Sequence, residues 1–230
     1  MGTTFSWAGI KAVLCDLDGT MVDSEILKAE ALAETVRFLG GVAKPDDYAL
    51  VMGAAWEVVR DHFSLLGGIK KNAETFDEEF NRRYIGLIQN KLQPCAGATE
   101  LLKIIHRRRI RSALISSSPR WMMDTVLAKL SWTNCFNVLI CRDDVKQLKP
   151  HPEGYLKAIE ELQIESREAL VLEDSQSGVE AALAADCKVF VIRHELNVKH
   201  EFSRATRQLG SLTELIPLSK SQTAYRLPSS

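Results

Sequence analysis

No stretch of the 230 residues approaches the ~20 consecutive apolar positions that a membrane-crossing helix requires, and the N-terminus has neither the charged nor the apolar region of a secretory leader. A cytoplasmic location is the expectation. Charge of one sign is not in excess either: 29 Lys and Arg face 30 Asp and Glu, so no overall basic field is present to hold nucleic acid or an anionic membrane. Any anion must be bound by a local arrangement. Cysteine is sparse and unpatterned. Cys15, Cys95, Cys135, Cys141 and Cys187 are odd in number, scattered and without a C-x-x-C, which fits reduced, mostly buried thiols better than disulfides or zinc ligands. Internal repeats and long coiled-coil heptads are missing as well, and a monomer is expected. A hydrophobic content of 46% with 26% charged residues excludes disorder and leaves room for a sizeable core.

Five short apolar runs rich in branched residues read as buried strands: Ile10 to Cys15, Arg111 to Ile115, Val138 to Cys141, Ala169 to Leu172 and Lys188 to Ile192. Helical patterns separate the later ones, at Arg120 to Leu130, Glu153 to Leu162 and Ser177 to Ala185. Such alternation predicts an α/β fold, a doubly wound parallel sheet with helices on both faces. Between the first run and the second lie about ninety residues of helical periodicity, far beyond an ordinary crossover. Helices are expected over Glu25 to Leu39, Asp46 to Val51, Trp56 to Leu66 and Ala73 to Leu92, broken at Gly40-Gly41, Gly53 and Gly67-Gly68, with a further helix Ala98 to Arg107 after them. The predicted organisation is a core of residues 1–23 and 92–218, a small all-helical domain of residues 24–91 inserted after the first strand, and a disordered polar tail of residues 219–230.

Two terminal or basic features have mundane readings. Met1, Gly2 and Ser6 fit a myristoylation pattern, while Phe5 and Trp7 fit a packed lead-in to the first strand. The basic run His106 to Arg111 falls at a helix C-terminus, where cations complement the macrodipole.

Ligands of a parallel sheet bind beyond the carboxyl ends of its strands, so the residues after each run matter most. Those residues are Asp16, Asp18, Gly19 and Thr20 after the first strand, Ser116, Ser117 and Ser118 after the second, Lys149 beyond the third, and Glu173 and Asp174 after the fourth. Crowded carboxylates repel one another unless a cation neutralises them, and oxygen ligands without paired His or Cys point to Mg²⁺. Ser118 before Pro119 reads as an N-cap followed by Pro at the first helical position, which would place a helix N-terminus near an anion.

In their order along the chain, Asp16-Leu-Asp18-Gly19-Thr20, Ser116, Lys149-Pro150 and Glu173-Asp174 with Ser175 and Gly178 resemble the four motifs of the haloacid dehalogenase superfamily. The helical insertion and the run from Leu172 are similar to its beta-phosphoglucomutase and sugar-phosphatase branch. That resemblance implies a Rossmann-like core with a helical cap, and a Mg²⁺-dependent phosphatase acting through an aspartyl-phosphate. It implies that Asp16 is the nucleophile and Asp18 the acid and base. Asp16, the backbone carbonyl of Asp18, and Asp174 would hold Mg²⁺, with Glu173 direct or through water. Ser116 and the Ser117 N-H would bind phosphate oxygens, and Lys149 would balance charge between Asp16 and the phosphoryl group. Asp18 also argues against carbon-halogen cleavage and against phosphonate cleavage, since dehalogenating and phosphonate-cleaving members lack an aspartate there.

The substrate is then a small phosphomonoester, a sugar or polyol phosphate among the candidates, read by lid residues Ser24, Lys28 and the loop Met52 to Trp56. Mutases of this branch carry a histidine where this chain has Lys28, and basic residues where it has Met52 and Trp56. Simple hydrolysis is therefore favoured over a phosphosugar mutase, the alternative, and over a non-catalytic phosphate-binding module, the alternative of another class. Trp56 itself fits either packing in a helical core or stacking on a substrate ring.

Overall fold

The computed structural model describes residues 5–70 and 72–217. Its strands are β1 (Ala12–Cys15), β2 (Arg111–Ile115), β3 (Val138–Ile140), β4 (Ala169–Glu173), β5 (Lys188–Ile192) and β6 (Arg207–Leu209). All pair in parallel, in the order β3-β2-β1-β4-β5-β6. The first five lie where the apolar runs place them. The sixth, Arg-Gln-Leu at the sheet edge, was not expected, because three residues with one apolar side chain carry no alternation to read.

Period-two alternation divides the sheet's side chains between two cores. Val13, Cys15, Leu170 and Leu172 face one side, where α4 (Ala98–Arg107) and α5 (Arg120–Leu130) pack. Ala12, Leu14 and Val171 face the other, against α6 (Glu153–Leu162) and α7 (Gln176–Ala184). Strands buried on both faces explain why the runs are continuously apolar rather than alternating.

Between β1 and β2 the chain forms α1 (Ser24–Phe38), a 3₁₀ turn (Pro45–Leu50), α2 (Trp56–Leu66) and α3 (Ala73–Lys91). The expected helix over Asp46 to Val51 is thus a single 3₁₀ segment; Pro45 at its start and the short polar sequence leave too few apolar positions for a longer helix. In α3 the residues Phe76, Phe80, Tyr84 and Ile88, each four apart, form one buried stripe against α1 and α2. Their core is continuous with the sheet's α4 and α5 side. The two crossing strands of chain are tied together: Val22 bridges Pro94, Asp23 N-H donates to the Gln93 carbonyl at 3.1 Å, and Cys95 N-H to that of Met21 at 2.9 Å.

The N-terminal lead-in packs as Phe5 and Trp7 suggest. Their rings meet at 4.9 Å, and Phe5 lies 5.5 Å from Phe190. Gly2 and the tail of residues 219–230 lie outside the described residues. No described helix is long and apolar enough to cross a membrane. Cys15, Cys141 and Cys187 are buried, Cys95 is half-buried and Cys135 exposed, all of them free thiols.

Candidate active site

Strand order reverses at β1, whose neighbours are β2 on one side and β4 on the other, and a crevice opens there at the carboxyl ends. Register brings the acidic residues together. Cys15 pairs with Leu172, so Asp16 and Glu173 emerge side by side, and Asp16 N-H donates to the Leu172 carbonyl at 2.9 Å. Ser116 follows β2 on the other flank of β1, and Lys149 reaches in from the loop before α6. Asp16, Asp18, Ser116, Ser117, Lys149 and Asp174 all line one cavity of about 360 Å³ between this edge and the inserted helices.

Lys149 is the electrostatic hub. Its Nζ donates to Asp16 Oδ1 at 2.5 Å, to Glu173 Oε1 at 2.6 Å and to the Ile115 carbonyl at 3.1 Å. Burial alone would lower the lysine's pKa, but Asp16 and Glu173 outweigh it, and the ammonium is held above its ordinary range. Around it, oxygens of Asp16, Glu173 and Asp174 lie within 4.8 Å of one another. Lys149 bonds two of these three buried carboxylates, Asp16 and Glu173. Burial pushes Asp16 well above its ordinary range, with Glu173, Asp174 and Asp18 adding to the rise against Lys149; burial, Glu173 and Glu25 do the same to Asp174.

Glu173 closes β4, at the strand end where its motif places it. It is fully buried, and its two oxygens accept from Lys149, Tyr155 Oη at 2.7 Å, Asp174 N-H at 3.0 Å, Ser175 N-H at 3.2 Å and Ser175 Oγ at 2.9 Å. Glu173 thus both holds Lys149 and stands with Asp16 and Asp174 in the one acidic cluster, among the described residues, that could take a metal ion. Burial is outweighed by Lys149 and Tyr155, and the carboxyl is held below its usual range.

Asp18 is held by a cage of three hydroxyls. Ser24 Oγ donates to its Oδ1 at 2.5 Å, and Ser118 Oγ at 2.8 Å and Ser116 Oγ at 3.2 Å to its Oδ2. Lys28 Nζ stands 3.8 Å from Oδ1 and 2.6 Å from Glu25. Burial would raise the Asp18 pKa, but Lys28 and the three serines overcome it and hold the carboxyl below its usual range. Two expectations change here. Ser24, read as a lid contact, is completely buried and spends its hydroxyl on Asp18. Ser118 is no N-cap, for the same reason: α5 begins one residue later, with Arg120 N-H donating to Asp143 Oδ2 at 2.7 Å instead.

Lys28 does line the cavity, as does Trp56, whose indole N-H donates to Asp77 Oδ1 at 3.0 Å while its ring tilts over Phe80 at 4.5 Å. It packs and faces the cavity at once. Sequence reasoning missed Tyr155, Asn197 and His194. Asn197 Nδ2 donates to the Asp174 carbonyl at 2.8 Å, and His194 Nε2 lies 2.9 Å from Asp174 Oδ2. Both come from the segment after β5, where no apolar periodicity flags them. Gly19 and Gly178 hold the acids' positions by having no side chain: a Cβ on Gly19, at φ +76°, would lie 2.1 Å from Asp174 Oδ2, and one on Gly178 1.9 Å from Glu173.

The donor set fits a hard divalent cation. The oxygens of Asp16, Glu173 and Asp174 are buried and clustered, with Lys149 bonded to only two of these three carboxylates, and Glu25 Oε2 is buried without a hydrogen-bond partner among the described residues.

Residues 13–192 match the haloacid dehalogenase-like hydrolase family. The chain is 31% identical over 192 residues to the phosphorylated carbohydrates phosphatase of Thermotoga maritima, covering 82% of this chain and 88% of that protein. It is 32% identical over 183 residues to the validoxylamine A 7'-phosphate phosphatase of Streptomyces hygroscopicus, covering 76% and 82%. Among solved structures, CbbY from Rhodobacter sphaeroides in complex with phosphate has the same fold, with a TM-score of 0.78 over 91% of this chain and 97% of that one at 24% identity. The sheet order, the strand-end residues and the match across 13–192 agree: the chain belongs to the haloacid dehalogenase-like hydrolases.

Proposed function

We propose that this protein is a Mg²⁺-dependent phosphatase that hydrolyses a small phosphomonoester, a phosphorylated carbohydrate or polyol, through an aspartyl-phosphate on Asp16. The observation that carries this reading is the placement of two aspartates, two residues apart, on one cavity with different partners. Asp16 is tied to Lys149, and Asp18 is tied to hydroxyls and Lys28. Groups so differentiated suit a nucleophile and a separate acid and base. The names of relatives that act on phosphorylated carbohydrates and on validoxylamine A 7'-phosphate support the substrate class.

In this reading the substrate phosphate lies over Asp16, with the Ser117 N-H donating to its oxygens, the Ser116 hydroxyl turning from Asp18 to do the same, and the Lys149 charge beside it. The metal-free site holds the Asp18 carboxyl below the usual range, so Asp18 must first take up a proton from solvent as the substrate dianion binds beside it. Asp16 attacks phosphorus, and Asp18 passes that proton to the leaving alcohol. Asp18, then ionised, takes a proton from water as that water attacks the aspartyl-phosphate and returns free phosphate and Asp16. Asp16, Asp174 and the Asp18 carbonyl would hold Mg²⁺, which supplies charge neutralisation between the carboxylates and the phosphoryl oxygens. Glu173, through Tyr155 and Ser175, keeps Lys149 aimed at Asp16. The inserted helices, residues 24–91, act as a cap domain that closes the cavity against water. A reducing compartment such as the cytoplasm suits its free thiols, and a monomer is the proposed state.

The test is phosphate release from p-nitrophenyl phosphate and a panel of sugar and polyol phosphates, with Mg²⁺ or EDTA, by wild type and Asp16→Asn. Loss of release in EDTA and in the variant is expected. Release unaffected by either overturns the proposal.

A further inference from the structure

On the cap side of the cavity a second group of polar side chains sits apart from the phosphate end. Asp77 of α3 accepts from Trp56 Nε1 at 3.0 Å and from Arg60 Nη1 at 3.3 Å, both on α2. A carboxylate accepts about four hydrogen bonds, so Asp77, with its side chain 31% exposed, retains capacity toward the cavity it lines. One turn along the same face stands Asn81, which also lines the cavity and whose amide makes no hydrogen bond among the described residues. Trp56 and Trp121 line the same cavity. Aromatic surface together with a free amide and an acceptor-rich carboxylate suits an alcohol bearing several hydroxyls, which offers C-H surface and O-H donors together.

Charge narrows the class further. Among the described residues, four cations line the cavity, and each has a carboxylate partner. Lys28 has Glu25 at 2.6 Å, Arg60 has Asp61 and Asp77 at 3.3 Å, Arg142 has Glu57 at 2.9 Å, and Lys149 has Asp16 and Glu173. Carboxylates on the described wall (Asp16, Asp18, Glu25, Glu57, Asp77 and Asp174) outnumber these cations, so no surplus positive charge draws in a second anionic group, and Asp77 disfavours one at the subsite itself.

We infer that Trp56, Asp77 and Asn81 form a leaving-group subsite that takes a neutral polyhydroxylated alcohol and rejects phosphomonoesters carrying a second anionic group. The inference rests on the phosphatase reading and adds to it a rule of selection, with Asp77 as the discriminating residue. It also makes a bisphosphate the wrong occupant, which separates this chain from enzymes that must grip two phosphates.

The test compares kcat/KM of wild type, Asp77→Asn and Asn81→Ala on glucitol 6-phosphate and on 6-phosphogluconate, which differ at the carbon farthest from the phosphate by a neutral alcohol against a carboxylate. Fructose 1,6-bisphosphate and p-nitrophenyl phosphate complete the panel, and thermal melts establish that each variant is folded. Wild type is expected to favour glucitol 6-phosphate over both acidic substrates by at least about tenfold, the scale on which a like charge in a closed site is felt. Asp77→Asn should narrow that ratio by about tenfold, and Asn81→Ala should raise KM for the polyol ester while leaving the ratio in place. If p-nitrophenyl phosphate is hydrolysed but wild type uses 6-phosphogluconate as well as glucitol 6-phosphate, the subsite is refuted and the phosphatase reading stands. An unchanged ratio in folded Asp77→Asn refutes the role of Asp77. If nothing on the panel is hydrolysed, the phosphatase reading fails and the inference fails with it.

Discussion

Asp18 illustrates how little of a residue's behaviour follows from its identity. Its place beside Asp16 is plain in the sequence, but the cage of Ser24, Ser116 and Ser118 joins residues up to 100 positions apart and exists only once β1 and β2 pair. Removing its proton-carrying capacity in Asp18→Asn should lower kcat by about 10² to 10⁴-fold with the fold intact. Steady-state kinetics would measure this, and a loss under threefold would contradict the assignment. Gly19 is legible as a turn residue, but not as the floor under Asp174. Its positive φ and the 2.1 Å approach of a built Cβ mean that Gly19→Ala must displace the Asp174 carboxylate. A displacement on the ångström scale costs about a hundredfold in activity, and wild-type turnover in that variant would show the contact to be unimportant.

At the scale of elements, the apolar runs locate β1 to β5 and most helices because burial on both faces leaves an unbroken hydrophobic signature. Where burial is one-sided or brief the signature fades, as at β6 and the 3₁₀ turn Pro45–Leu50. Pairing register, which juxtaposes Asp16 with Glu173, is a tertiary property and was not readable. The start of α7 couples element to site: Ser175 Oγ accepts from the Gly178 N-H at 3.1 Å as the N-cap and donates to Glu173 Oε2. Ser175→Ala should therefore destabilise the fold by about 1 to 2 kcal/mol, measured by urea unfolding. It should also lower activity through a less firmly held Lys149. A variant as stable as wild type would mean that the cap is not needed.

For the whole molecule, the site is an electrostatic liability that a bound cation would relieve. Asp16 and Asp174 are held above their ordinary value of 3.8, so in the metal-free protein they cost stability as pH rises past that value through their raised native pKa. Asp18 and Glu173 act in the opposite sense. Held below ordinary values of 3.8 and 4.5, they stabilise above those values, and that gain is lost as pH falls through their lowered native pKa. Mg²⁺ at a hundred times its Kd should add about 2.7 kcal/mol at neutral pH, roughly 5 to 11 °C in Tm for a chain of this size. Protons compete for the same carboxylates, so the shift should shrink toward pH 4. A thermal melt series with Mg²⁺ and EDTA across pH would record it, and a shift that is absent or grows on acidification would contradict the site.

The covalent step on Asp16 is the claim on which the mechanism turns. Asp18→Asn, given p-nitrophenyl phosphate with Mg²⁺, has a leaving group that needs no protonation and a second step that lacks its base, so the aspartyl-phosphate should accumulate. Rapid quenching into borohydride converts an acyl-phosphate to an alcohol, and peptide mass spectrometry then locates the change. The account predicts homoserine at position 16, absent in EDTA and in the Asp16→Asn, Asp18→Asn double variant. Reduction at another carboxylate, or turnover with no reducible intermediate, would contradict it.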